Sequence, residues 1–467
     1  MRALLMTGLV CFCFGCPESR TTPLDASVGD SAGRDASLDA NGDRTVLPET
    51  GPICTNPRGE TCDGTDQDCD GLVDEGIGAS VGCGLNEECI SGSCGCPAER
   101  LCGGQCVNTA IDERNCGSCG NTCPTTQACV EETCCVPLSQ PVDLLFVIDN
   151  SISMGEEQES LASEFPELFR ALTTGDVNND STAEFPPVTD LNFGVVTTDM
   201  GTGAFEVVTC GDPFDGDDGI LQTESASESG CAASYPSVLS YRGGPVGTFA
   251  SDAACLAIQG IDGCGFEQQL EAPLKAVSSA ASGISFFGGT SGHSDGANAG
   301  FKRPGSTLAV VLVTDESDCS AADPELFNQN TTIYVGDLNL RCFQFPDALH
   351  GVSRYVDGLL QASTSPEQFV FGVLAGIPED LVGSGSSTIL ADPRMQPRVS
   401  AMDPTRLETA CTSSAGVAFP ATRMIQTAQG LEGRGAATAI GSICSPSYAG
   451  FVESLATRIA GASTACM

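Results

Sequence analysis

Val142-Asp143-Leu144-Leu145-Phe146-Val147-Ile148-Asp149-Asn150-Ser151-Ile152-Ser153 is the stretch on which the reading of this fold turns. Its apolar first half predicts a strand, and D-x-S-x-S directly after it puts one carboxylate and two hydroxyls on a single tight loop. In open α/β sheets such a loop lies at the carboxyl edge of the strands, where ligands bind. Hard oxygen donors of this kind suit Mg²⁺ or Ca²⁺. Ser153 also stands just before Met154-Gly155-Glu156-Glu157, so a helix N-cap is the competing reading of the same residues.

Outward from this stretch, Leu161, Phe165, Leu168, Phe169 and Leu172 recur at helical spacing and predict a helix from about Glu156 to Leu172. A second strand is predicted over Asn192 to Thr198 and an amphipathic helix near Glu267 to Ala281. A third strand covers Thr307 to Val313 and ends in Thr314-Asp315. Phe369 to Leu374 reads as a further strand and Ser447 to Ala460 as a closing helix. Strands alternating with helices predict an α/β fold with a doubly wound, mostly parallel sheet.

The D-x-S-x-S motif at one strand end and T-D at a later one resemble the von Willebrand factor type A (VWA) domain, over roughly Val136 to Met467. The resemblance implies a metal-ion-dependent adhesion site in which Asp149, Ser151, Ser153 and Asp315 hold one divalent cation, with Mg²⁺ favoured. One direct carboxylate and two neutral hydroxyls would leave that cation open to an incoming anion. VWA domains usually add a Thr from the loop before the middle helix, but this loop reads Gly263-Cys264-Gly265-Phe266-Glu267, and sulfur is a poor Mg²⁺ ligand. Glu267 compensates, or Thr290 in Gly288-Gly289-Thr290 swings in, or the site is weak.

A formal charge of −41 argues against nucleic acid and anionic membrane surfaces as partners, since both are polyanions. Arg2 followed by the apolar run from Ala3 to Phe14 has the shape of a signal peptide, too short to span a bilayer. Its end, Phe14-Gly15-Cys16, resembles a lipobox, in which Cys16 would carry lipid; ordinary secretion is the other expectation. Twenty-seven cysteines in an exported chain predict disulfides. Setting aside Cys11, Cys13 and Cys16 leaves 15 from Cys54 to Cys135 and nine from Cys210 to Cys466. Both counts are odd, so full pairing needs at least one bridge between the two groups. In doubly wound domains of the type resembled, the first strand's entrance and the last helix's exit lie close together, which implies Cys134 or Cys135 bonded to Cys466.

The expected organisation is a signal peptide over residues 1–16, a solvated tether over 17–53, an acidic repeat over 54–78, a Cys-rich module over 79–135 and the VWA-like domain over 136–467. The tether is rich in Asp, Ser, Ala, Gly and Thr and cannot bury enough surface to fold. In the acidic repeat, Asp66, Asp68, Asp70 and Asp74, with the Leu72 carbonyl, place oxygens around one point, as a Ca²⁺ loop does. The repeat resembles the short acidic metal-binding repeats of bacterial surface proteins, although Ile77 stands where an EF-hand has its bidentate Glu; a solvated acidic turn is the other reading. The Cys-rich module contains Cys116-Gly117-Ser118-Cys119 but no His, and in an oxidising compartment a disulfide knot is expected over zinc.

His293 and His350 are the only histidines and are expected at the surface, so relay or zinc-hydrolase chemistry has little to work with. No enzyme activity is expected. The sequence points to a surface or secreted binding protein that takes a carboxylate from a protein or acidic glycan, touching the membrane only through the N-terminal lipid. A structural spacer with a degenerate metal site and a Ca²⁺-stabilised matrix component are the rivals.

Overall fold

The computed structural model describes residues 101–109, 112–124, 127–130, 132–210, 216–226, 230–413 and 416–466, with the paired backbones of Glu88–Cys89 and Cys94–Gly95. Cys16, the tether and the acidic loop Asp66, Asp68, Asp70, Leu72 and Asp74 lie outside the described residues.

Strand β1, Val142–Ile148, is buried along its whole length. Alternate side chains leave a strand on opposite faces, so an apolar run of this length needs a core on each side. Helix α1, Gly155–Thr174, follows it, then β2, Leu191–Thr197, and the short β3, Leu239–Tyr241. The chain continues through α2 (Gly247–Leu256), α3 (Glu271–Val277), β4 (Thr307–Val313), α4 (Val352–Ala362), β5 (Phe369–Ala375), α5 (Thr422–Glu432), β6 (Ala437–Ser442) and α6 (Ala449–Ser463). Leu144, Phe146 and Ile148 pack with α1, α2 and α6 on one face. Leu145 and Val147 pack with α3, α4 and α5 on the other. Phe165 meets Phe146 and Phe193 edge-to-face with centroids 5.0 and 5.7 Å apart, the geometry in which aromatic rings attract beyond their buried area.

The six strands form one mixed sheet in the order β3-β2-β1-β4-β5-β6. All neighbours run parallel except β3 against β2. The chain winds outward from β1 to β3 and then returns to β4 on the other side of β1, so the winding reverses between β1 and β4. That switch point opens a crevice at the carboxyl edge. In register, Val313 pairs with Ile148, which brings the two strand ends to the same level.

Two expectations change. The predicted helix from Glu267 is shorter, because residues 267–270 form a turn tied to other loops: the Gln268 N–H donates to the Thr198 carbonyl and the Cys319 N–H to that of Glu267. Cys134 is bonded to Cys123, which removes it as a partner for Cys466. The CxxC cysteines sit in separate bridges, Cys102–Cys119 and Cys116–Cys129, so their thiolates are not available to zinc. Four more bridges, Cys210–Cys264, Cys231–Cys255, Cys319–Cys342 and Cys411–Cys444, staple the loops around the sheet. So many disulfides point to an exported protein. Among the described residues no helix is long and apolar enough to cross a membrane.

Candidate metal centre

Asp149 and Asp315 stand at the ends of β1 and β4, on the two sides of the switch point. The Ser151 N–H donates to Asp149 Oδ1 over 2.9 Å, which closes the D-x-S loop, and Thr314 Oγ1 donates to Asp149 Oδ2 over 2.5 Å. Ser153 Oγ lies 3.4 Å from Ser151 Oγ and donates to Asp315 Oδ1 over 3.2 Å. The four residues singled out in the sequence are therefore gathered in one place. Ser153 does not cap α1, whose N-cap is Met154 without a side-chain bond.

Glu267 is buried beside them and feels the charges of Asp149, Glu316 and Asp315. Cys264, where a hydroxyl ligand would be expected, has its sulfur in the bridge to Cys210 and donates its N–H to Asp199 Oδ2. Thr290 is engaged elsewhere: its hydroxyl accepts from Lys275 over 2.9 Å and donates to the Phe287 carbonyl. Of the two candidates for the missing ligand, only Glu267 stands with the acidic group. His293 is not a bare surface residue either, since its Nε2 lies 3.0 Å from Asp218 Oδ2.

Two acidic neighbours, Glu157 and Glu316, were not legible in the motif. Glu157, in the first turn of α1, is buried with Oε2 lacking a hydrogen-bond partner. Glu316, next to Asp315, is half-buried. Thr314 links Asp149 to Gln269, whose Nε2 donates to its hydroxyl over 2.9 Å. An acidic residue beside a motif ordinarily reads as solvated, and the burial of Glu157 comes from tertiary packing that the local sequence does not show.

Burial lifts the Asp149 carboxyl above its usual range, against the hydrogen bond from Thr314. Asp315 is pushed up to about 7, first by burial and then by the charge of Asp149. Glu267 and Glu316 rise well above normal through burial, reinforced by the neighbouring carboxylates. Three other buried carboxylates carry an arginine: Asp143 with Arg303 at 2.7 Å, Asp318 with Arg423 at 2.9 Å and Glu271 with Arg354 at 2.7 Å. Among the described residues no Lys, Arg or His forms an ion pair with Asp149, Glu157, Glu267, Asp315 or Glu316. Carboxylates that destabilise one another, one of them with an orphaned buried oxygen and two hydroxyls alongside, make a donor set suited to a hard divalent cation.

A separate acidic trio, Asp176, Asp180 and Glu184, follows α1 with carboxylate oxygens within 4.8 Å of one another. Loop N–H groups already occupy it: Asp176 accepts from Asp180 and Ser181, and Glu184 from Val177.

No family model matches the chain, and no curated protein matches it in sequence.

Proposed function

We propose that the chain is a surface or secreted binding protein with a VWA-like domain, which holds Mg²⁺ at the β1/β4 switch point and uses it to take a carboxylate from a protein or acidic-glycan ligand. The observation that carries this reading is the convergence of Asp149, Asp315 and Glu267 with Ser151 and Ser153, unpaired with any basic residue, at the point of the sheet where ligands bind in doubly wound folds. The strand order and the single antiparallel edge strand support the family reading. Asp149, Ser151, Ser153 and Asp315 would hold the ion, with Glu267 in support. When bound, the ion supplies a positive charge that orients and attracts an acidic group.

Calorimetric titration of the chelator-treated protein with Mg²⁺ tests the reading. Saturable binding in the wild type that is lost in Asp149→Ala, with an unchanged circular dichroism spectrum, is the expected result. The competing proposal, a structural spacer, is favoured by the replacement of the expected hydroxyl ligand with a disulfide-bonded Cys264. No Mg²⁺ binding by the wild type would decide for it.

The proposed setting is the cell surface, with Cys16 lipidated and residues 17–53 as the tether. Asp66, Asp68, Asp70, Leu72 and Asp74 are proposed to take Ca²⁺. Cys16→Ser should release the protein into the medium, because the lipid is the only membrane attachment in this proposal.

A further inference from the structure

The charge balance at the proposed metal centre leaves a question about the ligand. Bound to Mg²⁺ as carboxylates, Asp149 and Asp315 together would match its two charges. Net attraction for a further acidic group therefore gains from a second positive charge at the same edge, and the fold supplies one. Arg406 is exposed on a hairpin closed by the Ser400 N–H to Arg406 carbonyl bond (2.9 Å) and the Glu408 N–H to Arg398 carbonyl bond (2.8 Å). Its guanidinium lies over the Phe419 ring, 5.3 Å from the centroid. Phe419 in turn donates its N–H to the Asp315 carbonyl over 2.8 Å, which ties this platform to a proposed ion ligand. The Cys411–Cys444 bridge pins the intervening segment to the end of β6.

Among the described residues the Arg406 side chain makes no hydrogen bond and no ion pair. Glu316 and Asp403 both feel its charge, and neither forms an ion pair with it. A guanidinium over an aromatic ring is drawn toward that face, and its planar fork of N–H donors matches a carboxylate in bidentate geometry. In a chain with 20 basic against 61 acidic residues, an exposed arginine beside buried carboxylates, with no ion pair to any of them, leaves its charge open to an incoming anion.

We propose that Arg406 is a second anchor for the ligand, so that the metal centre takes one carboxylate and Arg406 another, and that the ligand is an acidic peptide segment with neighbouring Asp or Glu side chains. This rests on the metal reading above, and the experiment separates the two.

The mature chain, saturated with Mg²⁺, is titrated with hexaglutamate and with a hexapeptide of one Glu and five Ser. Arg406→Gln should weaken hexaglutamate binding by about tenfold or more, the loss expected of one charge-assisted bidentate contact, while the single-Glu peptide changes by less than about twofold. Arg406→Lys, which keeps the charge without the fork, should recover part of the loss. Mg²⁺ binding by Arg406→Gln should be no weaker than in the wild type, since a positive charge near the ion is removed. Equal losses for both peptides, or no loss for either, overturn the role of Arg406 and leave the metal reading standing. A wild type that binds Mg²⁺ but prefers hexaglutamate no more than the single-Glu peptide also overturns it. A wild type that takes no Mg²⁺ overturns both.

Discussion

Ser153 Oγ and Asp315 Oδ1 lie 3.2 Å apart across 162 residues of chain, and this contact joins the two strand ends that flank the switch point. It is made possible by the full parallel register of β1 against β4, from Val142 opposite Thr307 to Ile148 opposite Val313. Core-forming sequence alone gives no reason for both strand ends to be oxygen-rich, because the motif side chains Asp149, Ser151, Ser153 and Asp315 contribute no apolar packing.

Asp315→Asn should separate stability from ion binding. In the chelated protein the Asp315 carboxyl is held near 7 by burial and by Asp149, so its ionised form is disfavoured in the fold. An amide of the same shape removes that repulsion and should stabilise the metal-free protein by about 1 kcal/mol at pH 7.5. The same change should abolish the stabilisation that wild type gains from Mg²⁺, which amounts to about 2.7 kcal/mol at one hundred times the dissociation constant. Urea midpoints with EDTA and with Mg²⁺ check both halves. A variant less stable than wild type in EDTA would contradict the charge-repulsion account.

Asp318 holds the turn that carries Glu267 against the turn that carries Asp315. Its Oδ1 accepts from the Leu270 N–H over 3.1 Å and from Ser320 Oγ over 2.6 Å, while Oδ2 faces Arg423 Nε at 2.9 Å. Asp318→Ala leaves the Arg423 guanidinium, largely buried, without its carboxylate and should cost about 3 kcal/mol of stability. It should also weaken Mg²⁺ binding, because the 267–270 turn loses its anchor. Equilibrium unfolding within about 0.5 kcal/mol of wild type, the range of an ordinary surface substitution, would show that the pair carries no such weight.

β1 and β4 were legible because each is an unbroken apolar run that ends in polar motif residues, and both appear with the predicted bounds. β6 and α2 were not. Ala437–Ser442 is a half-exposed edge strand of mostly small residues, and half of Gly247–Leu256 is Ala, Ser or Gly, so neither carries a strong period. The same limit applies to the site. Asp149, Ser151, Ser153 and Asp315 are visible through their spacing to strand ends, whereas Glu157 gains its place from tertiary burial and Arg406 from a hairpin remote in sequence.

His350 gives a pH dependence of known sign. Burial lowers its pKa from the ordinary value, with Arg354 and Arg423 acting in the same direction and Glu271 and Asp318 opposing them. The folded state therefore prefers the neutral ring. Its contribution to stability is present above about pH 6.5, the unfolded value, and is lost as the pH falls below it. Because buried acids elsewhere in the fold titrate with the opposite sign, the comparison is between variants: His350→Gln should lose less stability than wild type between pH 7.5 and pH 5.5. Parallel losses in chemical denaturation would remove His350 from the pH response.

The remaining cysteine arithmetic makes the last prediction. The eight cysteines from Cys210 to Cys444 pair among themselves, Cys134 is bonded to Cys123, and Cys135 is disulfide-bonded. Thr464–Cys466 runs antiparallel to Pro137–Ser139 with Cys466 opposite Pro137, so the chain entering β1 and the chain leaving α6 travel side by side. The Gln140 N–H to Ser463 carbonyl bond of 2.6 Å continues that pairing toward the domain. A Cys135–Cys466 bridge would close a loop of over 300 residues, for which chain entropy gives about 5 kcal/mol, with engineered examples often delivering less. Cys466→Ser should therefore lower the unfolding free energy by up to that amount without disturbing Mg²⁺ binding, since the clamp lies at the strand entrances and the ion site at the opposite edge. Peptide mapping without reduction should recover the 135–466 cross-link, and its recovery with Cys466 joined to any other cysteine would refute the clamp.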